Sequence, residues 1–351
     1  MIDAFKIDRL AELTQQASRI AVVTHLKPDG DAMGSSLAMY RFLKEFCSGE
    51  VRIVLNDRYP ESLSFMVSPE EENDILTYNE DNIATSDYIA GADLIICLDF
   101  NAFHRTENLE PLLLESTCKK ILIDHHLFPD TGHFEVVFST PEISSASELL
   151  FHILKAMPQC RGKASSLPLK AAEALMTGMT TDTNNFNNSV YPSTFNMASE
   201  LIAMGVDRDR ILFNLFNQFG ENRLRLLGEM LKDLMKITPD GVAYIVLDKE
   251  ILNRYHVNEG ETEGFVNMPL SIKEVRMSLL LKEDGDRVRV SIRSKKGTSA
   301  NRCARRHFNG GGHENAAGGR LYIPQDIKDI SEAGEYIERH THIFFNEEHE
   351  A

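Results

Sequence analysis

The sequence predicts an α/β protein in two parts: an N-terminal domain built on a parallel sheet, then a smaller C-terminal α/β domain with a mixed sheet. Three observations carry this prediction. Short continuous apolar runs at residues 20–23, 51–55, 94–98 and 121–123 alternate with segments of helical spacing, as in a sheet buried on both faces. From residue 242 the pattern changes to strands, with residues 275–281 and 287–292 joined through Glu-Asp-Gly-Asp, a hairpin signal. The length of 351 residues is also long for one domain and comfortable for two.

The elements follow in order. Leu10, Leu13 and Ala17 give residues 3–19 helical spacing. The first strand, 20–23, stops at His25; a helix is expected over 35–46 and a second strand over 51–55. Residues 61–86 are mixed and turn-rich, and no element is assigned there. Strands at 94–98 and 121–123 end at Asp99 and at Asp124-His125-His126, and 136–138 forms a further strand. Helices are expected at 145–157 and 169–180, the second leading into Asp182, and then at 194–204, 208–219 and 223–236. In the last part, a helix over 299–308 precedes the glycine-rich residues 309–319, a strand at 321–323 and a closing helix over 327–345. The expected domains are 1–190, a helical connector over 191–240, and 241–351.

The net charge of −16 excludes general binding to long duplexes, which relies on a broad basic surface. It leaves room for a small anion held by local cations. Five scattered cysteines without a Cys-x-x-Cys pair exclude a disulfide framework and a zinc ribbon, and fit reduced thiols in a cytoplasm. The N-terminus has charges where a signal peptide would be apolar. No apolar run approaches the ~20 residues of a membrane helix, so a cytoplasmic protein without a membrane partner is expected.

Three of the apolar runs end in an acid or a histidine where the strand would leave the sheet. A single terminal Asp is commonly a turn or helix cap. Three such ends, with histidines among them, converge on one edge of a parallel sheet, where α/β folds bind ligands. The candidate metal ligands are His25, Asp29, Asp31, Asp99, His125 and Asp182. Their nitrogen and oxygen donors suit manganese, magnesium, iron or zinc. Four carboxylates with two imidazoles exceed the needs of one ion, so one carboxylate would bridge two ions, as in two-metal hydrolytic sites. Asp124 is placed to fix the tautomer of a ligand histidine. His126 is placed to contact a phosphate or protonate a leaving oxygen.

A second signal is Gly310-Gly311-Gly312-His313. Such a glycine run is commonly just a turn. Joined to His313 and to a basic stretch that includes Arg293, Arg302 and Arg305, it reads as a phosphate pocket, with backbone amides open to an anion.

Together these residues resemble a known family. Thr24-His25, Pro28-Asp29-Gly30-Asp31-Ala32 with Gly34-Ser35, then Asp99, Asp124-His125-His126 and Asp182 are similar to the four motifs of the DHH phosphoesterases. Residues 310–319 are similar to the glycine-rich signature of their DHH-associated C-terminal domain. Within the family, the two-domain length resembles bacterial nanoRNases. The resemblance implies two divalent ions, usually manganese, with His25 and Asp29 on one, Asp31, His125 and Asp182 on the other, and Asp99 bridging. It places the active site in the cleft between the domains, with His126 facing the scissile phosphate. Arg293, Gly310, Gly311, Gly312 and His313 would grip the substrate.

The activity it implies is hydrolysis of short oligoribonucleotides to mononucleotides, and of pAp to AMP, through attack by a metal-activated hydroxide. By analogy the chain would form a homodimer. Rival readings on the same metals are a cyclic or linear dinucleotide phosphodiesterase, a pyrophosphatase or exopolyphosphatase, and a RecJ-like single-strand exonuclease. A non-catalytic nucleotide-binding scaffold is the rival outside enzymology. With no tryptophan in the chain, base stacking is expected to fall to Phe308, Tyr255 or an arginine.

Overall fold

Six parallel strands cross the first unit: β1 Arg19–Val23, β2 Glu50–Leu55, β3 Ile75–Thr77, β4 Leu94–Leu98, β5 Lys119–Asp124 and β6 Val136–Ser139. Their order in the sheet is β3-β2-β1-β4-β5-β6, and every neighbouring pair runs parallel. The computed structural model describes residues 3–257 and 261–350. It divides into two compact units, Met1–Gln218 and Phe219–Ala351.

Helices cover both faces of the first sheet: α1 Ala4–Gln16, α2 Gly30–Phe46, α3 Pro69–Glu72, α4 Asn82–Ala90, α5 Glu110–Glu115, α6 Ala146–Ala156, α7 Leu169–Asp182, α8 Pro192–Ala203 and α9 Arg208–Phe216. Alternate strand residues explain the two layers. Ile20, Val22, Leu94 and Ile96 pack with Leu37, Leu150 and Leu175 on one side. Ala21, Val23, Ile95 and Cys97 pack with Tyr88, Ile89 and Leu113 on the other. With both faces buried, the strands read as unbroken apolar runs. The strand order reverses direction between β1 and β4, and their C-terminal ends open a crevice there.

Three local differences from the expected elements have physical causes. Helix α2 begins at Gly30, five residues before the expected start, because Asp29 caps it. Asp29 Oδ1 accepts the N–H of Asp31 at 3.0 Å and of Ala32 at 3.1 Å. Asp31 therefore lies in the first turn of a helix. Residues 61–86 contain the edge strand β3, which is three residues long and too short to show a period. Helix α7 runs on to include Asp182.

The second unit holds β7 Lys236–Ile237, β8 Val242–Leu247, β9 Met277–Asp284, β10 Arg287–Ser294, β11 Gly311–Gly312 and β12 Ala316–Tyr322, in the order β11-β12-β10-β9-β8-β7. Only β8 and β9 pair parallel among its described strands, so the sheet is mixed. Its helices are α10 Glu221–Glu229, α11 Lys249–Arg254, α12 Ala300–His307 and α13 Ala333–Glu350. The hairpin turns at Gly285, whose φ of 69° suits glycine, with Asp284 opposite Arg287.

Residues 191–240 are shared between the units. Met197, Leu201, Ile211 and Leu215 of α8 and α9 join the core of the first unit, whereas Leu226 and Met230 pack with Ile245 and Phe265 of the second. Among the described residues, no helix is long and apolar enough to cross a membrane.

Candidate active site

The crevice beside β1 and β4 gathers the expected ligands. His25 follows β1, and its Nδ1 lies 2.8 Å from the carbonyl oxygen of Leu26, which aims Nε2 inward. That Nε2 is 3.8 Å from Asp29 Oδ1 and 3.6 Å from Asp99 Oδ2. Asp99 follows β4 with a φ of 63°, a backbone conformation that aspartate tolerates better than most residues. His125 follows β5, and its Nε2 stands 3.3 Å from Asp99 Oδ1, 3.5 Å from Asp182 Oδ2 and 3.8 Å from Asp31 Oδ2. Asp99 thus belongs to three candidate ligand sets, His25–Asp29–Asp99, Asp31–Asp99–His125 and Asp99–Asp124–His126, each with donor atoms within 4.8 Å of one another.

Asp31 and Asp182 meet because α2 and α7 cross at two glycines. A Cβ built on Gly34 would stand 2.7 Å from the Ala174 carbonyl oxygen and 2.8 Å from the Gly178 Cα. Asp31 lies three residues before Gly34 and Asp182 four after Gly178, so both carboxylates sit on the contacting faces. Two backbone amides at the start of α6 then hold Asp31: Ala146 N–H reaches Oδ2 at 2.7 Å and Ser147 N–H reaches Oδ1 at 2.9 Å. A helix N-terminus favours negative charge there.

Burial and crowding set the protonation of this cluster. Burial alone would lower His25, but a hydrogen bond to Asp99 and the Asp29 and Asp99 charges outweigh it and raise the imidazole to about 9. Burial likewise opposes charge on His125, yet Asp182, Asp99 and Asp31 raise it to about 10. Asp182 is pushed up to about 6, first by burial and then by the neighbouring carboxylates against the pull of His125. Asp31 is driven well above the carboxylate range by burial and by the Asp99 and Asp182 charges. For Asp99, burial is outweighed by the bonds from His125 and His25, and its carboxyl is held well below that range. Burial and the crowding of carboxylates keep protons on this cluster. Its oxygen and imidazole donors fit one or more divalent cations, which would take the place of those protons.

Asp124 braces His126. His126 Nδ1 lies 2.7 Å from Asp124 Oδ1, and the His126 amide donates to Oδ2 at 3.1 Å. The His125 and His126 rings meet edge-on at 72°, and His126 Nδ1 lies 3.7 Å from Asp99 Oδ1.

The second unit places its expected residues on β10, β11 and the turn beyond. Arg293 lies on β10 opposite Ala316, and its guanidinium donates to the Ile292 carbonyl oxygen at 3.0 Å. The glycine run is a hairpin, not an open cradle: Gly310 N–H donates to the Ala304 carbonyl oxygen and His313 N–H to that of Ala316. Close strand approach explains the glycines, since a Cβ on Gly310 would strike the Gly318 carbonyl oxygen and one on Gly312 would stand 2.6 Å from that of Ala316. Gly311 has room, with Arg305 Cγ at 3.7 Å as its nearest neighbour. The turn carrying His313 is pinned by two residues that sequence reasoning missed. Asn315 Nδ2 donates to Ser294 Oγ at 3.0 Å and to the Thr298 carbonyl oxygen at 3.1 Å, and Glu314 accepts from Ser299 Oγ at 2.9 Å.

Phe308 is fully buried in the second unit's core, which removes it as a base platform. The Tyr255 hydroxyl donates to Glu229, and its ring packs against a core cluster of that unit.

Fold and site define an α/β protein whose parallel sheet carries a buried cluster of carboxylates and imidazoles at its switch point, followed by a mixed-sheet unit with a glycine hairpin. Residues 19–179 match the DHH family, N-terminal domain, and residues 227–337 match the DHHA1 domain. The chain belongs to the DHH family. It is 30% identical to the Streptococcus mutans protein named probable bifunctional oligoribonuclease and PAP phosphatase NrnA, over 89% of this chain and 92% of that one. It is 28% identical to the Bacillus subtilis bifunctional oligoribonuclease and PAP phosphatase NrnA, over 85% and 88% of the two chains. The crystal structure of an exopolyphosphatase-related protein from Bacteroides fragilis superposes with a TM-score of 0.86 at 37% identity, covering 98% of this chain and 97% of that one.

Proposed function

We propose that this protein hydrolyses phosphoester bonds in short oligoribonucleotides and in pAp, releasing mononucleotides and AMP. The observation that carries the reading is Asp99, shared by three candidate ligand sets at the switch point of the parallel sheet. The names of the two NrnA relatives supply the substrate class. Two divalent ions are proposed: His25 and Asp29 on one, Asp31, His125 and Asp182 on the other, with Asp99 between them. Manganese suits this oxygen-rich donor set. Such ions lower the pKa of water and neutralise charge on a phosphoryl group.

The chain's own residues do the rest. The α6 amides hold Asp31 in place, and Asp124 fixes His126 so that Nε2 donates a proton to the leaving oxygen. Arg293 and His313 are proposed to bind substrate phosphates, and the three glycines to let backbone approach the ligand closely. A cytoplasmic setting is proposed on the five cysteines, none of them in a disulfide, which suit a reducing compartment.

A second reading is hydrolysis of polyphosphate, favoured by the likeness to the exopolyphosphatase-related protein. One panel separates the two: pAp, di- and trinucleotides, a longer RNA, cyclic dinucleotides, pyrophosphate and polyphosphate, each with manganese. Dinucleotides and pAp should lead by kcat/KM. A lead for polyphosphate would replace the first reading with the second.

A further inference from the structure

In the second unit, α13 packs across the C-terminal end of α12 through two histidines. His307 is the last residue of α12, and its Nδ1 lies 3.3 Å from His340 Nδ1 on α13. Residues one turn to either side on α13 complete the contact. The Tyr336 ring stacks on His340 at 3.9 Å, and Phe344 meets the His307 ring edge-on at 6.1 Å. The Tyr336 hydroxyl donates to the His307 carbonyl oxygen at 3.0 Å. Helix α12 then leads through Phe308 into the glycine hairpin. The amides of Phe308 and Gly310 both donate to the Ala304 carbonyl oxygen.

The neighbours fix where the imidazole hydrogens sit. Two facing Nδ1 atoms bond only if one carries a hydrogen and the other a lone pair. His340 Nε2 lies 3.3 Å from Arg339 Nη2. Arginine only donates, so that Nε2 accepts and the His340 hydrogen sits on Nδ1. His307 Nδ1 is then the acceptor, and its own hydrogen sits on Nε2. This Nε2 is buried, has no hydrogen-bond partner among the described residues, and stands 4.0 Å from Glu347 Oε2. Every link needs neutral rings. A second hydrogen on His307 would face that of His340 Nδ1, and one on His340 would point at the Arg339 guanidinium.

The surrounding charges give an imidazolium little help. On His307, burial works against it first; Glu347 favours it, but Arg306 opposes it and pairs with that carboxylate at 3.0 Å. On His340, burial leads again, Arg339 and His307 add to it, and only Asp326 favours the charge. Both imidazoles are therefore held below their ordinary 6.5.

We propose that the His307–His340 pair is an acid-sensitive clasp on the glycine hairpin, closed while both rings are neutral and opened when either gains a proton. Acid would then loosen the turn that carries His313. The clasp does not depend on what the protein hydrolyses. Once apart, the imidazoles return to about 6.5, so opening takes up a proton only below that pH. The clasp has its full strength above 6.5 and weakens as the pH falls through it.

Nitrogen-15 spectra of the unaltered protein at pH 8 should show His340 protonated on Nδ1 and His307 on Nε2. Hydrogen exchange of the Phe308 and Gly310 amides, corrected for the intrinsic rate, should rise below pH 6.5 by up to about tenfold per pH unit for each proton taken up. His340→Gln offers a donor and an acceptor on one amide, so it pairs with His307 whether neutral or charged. Its corrected exchange should stay flat from pH 8 to pH 5. A His340 hydrogen on Nε2, flat exchange in the unaltered protein, or an equal rise in His340→Gln would each overturn the clasp. The spectra and the exchange of the unaltered protein decide it even where the variant does not fold.

Discussion

Gly178 lies against Asp31. A Cβ built on Gly178 would stand 2.8 Å from Asp31 Oδ1 and would collide with Ser147 Oγ. The glycine is required by the carboxylate it faces and by the α6 start that holds that carboxylate. Gly178→Ala should therefore move Asp31, weakening metal affinity by about 10- to 100-fold, as loss of a ligand's support generally does. Overpacking should also cost about 1–3 kcal/mol of stability. Manganese titration of activity, beside urea unfolding, checks both. Reduced stability with unchanged metal dependence would mean that the helices separate without disturbing Asp31.

Asp124 and His126 make the second prediction. Asp124→Asn would present an amide to Nδ1 where a carboxylate now fixes the ring. Loss of the imidazole in His126→Ala should lower kcat by about 10²- to 10⁴-fold, the usual worth of a positioned acid. Asp124→Asn should fall between that variant and the unaltered protein, with the metal dependence of both variants unchanged. A shifted metal dependence in His126→Ala would make His126 a ligand instead.

The strand ends were legible because a parallel sheet buried on both faces writes each strand as an apolar run. The residue that breaks the run is then the one at the ligand-binding edge. His25, Asp99 and His125 stand out for that reason. The start of α2 was not legible, since Gly30, Asp31 and Gly34 are poor helix formers, and Asp29 as a cap overrides them. The brace on Asp31 was out of reach, because Ala146 and Ser147 are more than a hundred residues away along the chain. The glycine hairpin was only partly legible, for a related reason. Glycine in sequence signals a turn, whereas Gly310 and Gly312 are needed by strands that approach too closely for a Cβ.

The protons on the ligand histidines give the third prediction. With His25 raised to about 9 and His125 to about 10, both imidazoles carry a proton at pH 7. A ligand histidine binds a metal as the neutral imidazole and a ligand aspartate as the carboxylate, so loading the site releases protons. Calorimetry of manganese binding in buffers of different ionisation heat should count at least two protons released at pH 7. Affinity should rise as the pH increases from 6 to 9. Asp99→Asn removes a carboxylate that raises both imidazoles, so the release should shrink. Binding without proton release would show that His25 and His125 are neutral before the metal arrives.

Glu148 gives the last prediction, through the loop that holds Asp31. It is fully buried on α6 and accepts from the Ser144 amide at 3.2 Å and from Thr194 Oγ1 at 2.7 Å, with the Ser144 hydroxyl as a further donor. Burial works against its charge, but His152 and the Ser144, Ser193 and Thr194 donors outweigh burial and lower the carboxyl to about 2. A depressed carboxyl contributes stability that is fully present above its unfolded pKa of about 4.5 and is lost as pH falls from there toward 2. The difference corresponds to about 3 kcal/mol. Glu148→Gln should thus be less stable than the unaltered protein at pH 7 by up to that amount, with the gap closing between pH 4.5 and the acid limit. Comparing the two proteins at each pH cancels the titration of the metal cluster, which both share. Urea unfolding at pH 7, 5, 4 and 3 reads the gap. A gap that stays constant across this range would mean that the hydrogen-bond geometry, not the charge, ties the start of α8 to the loop before α6.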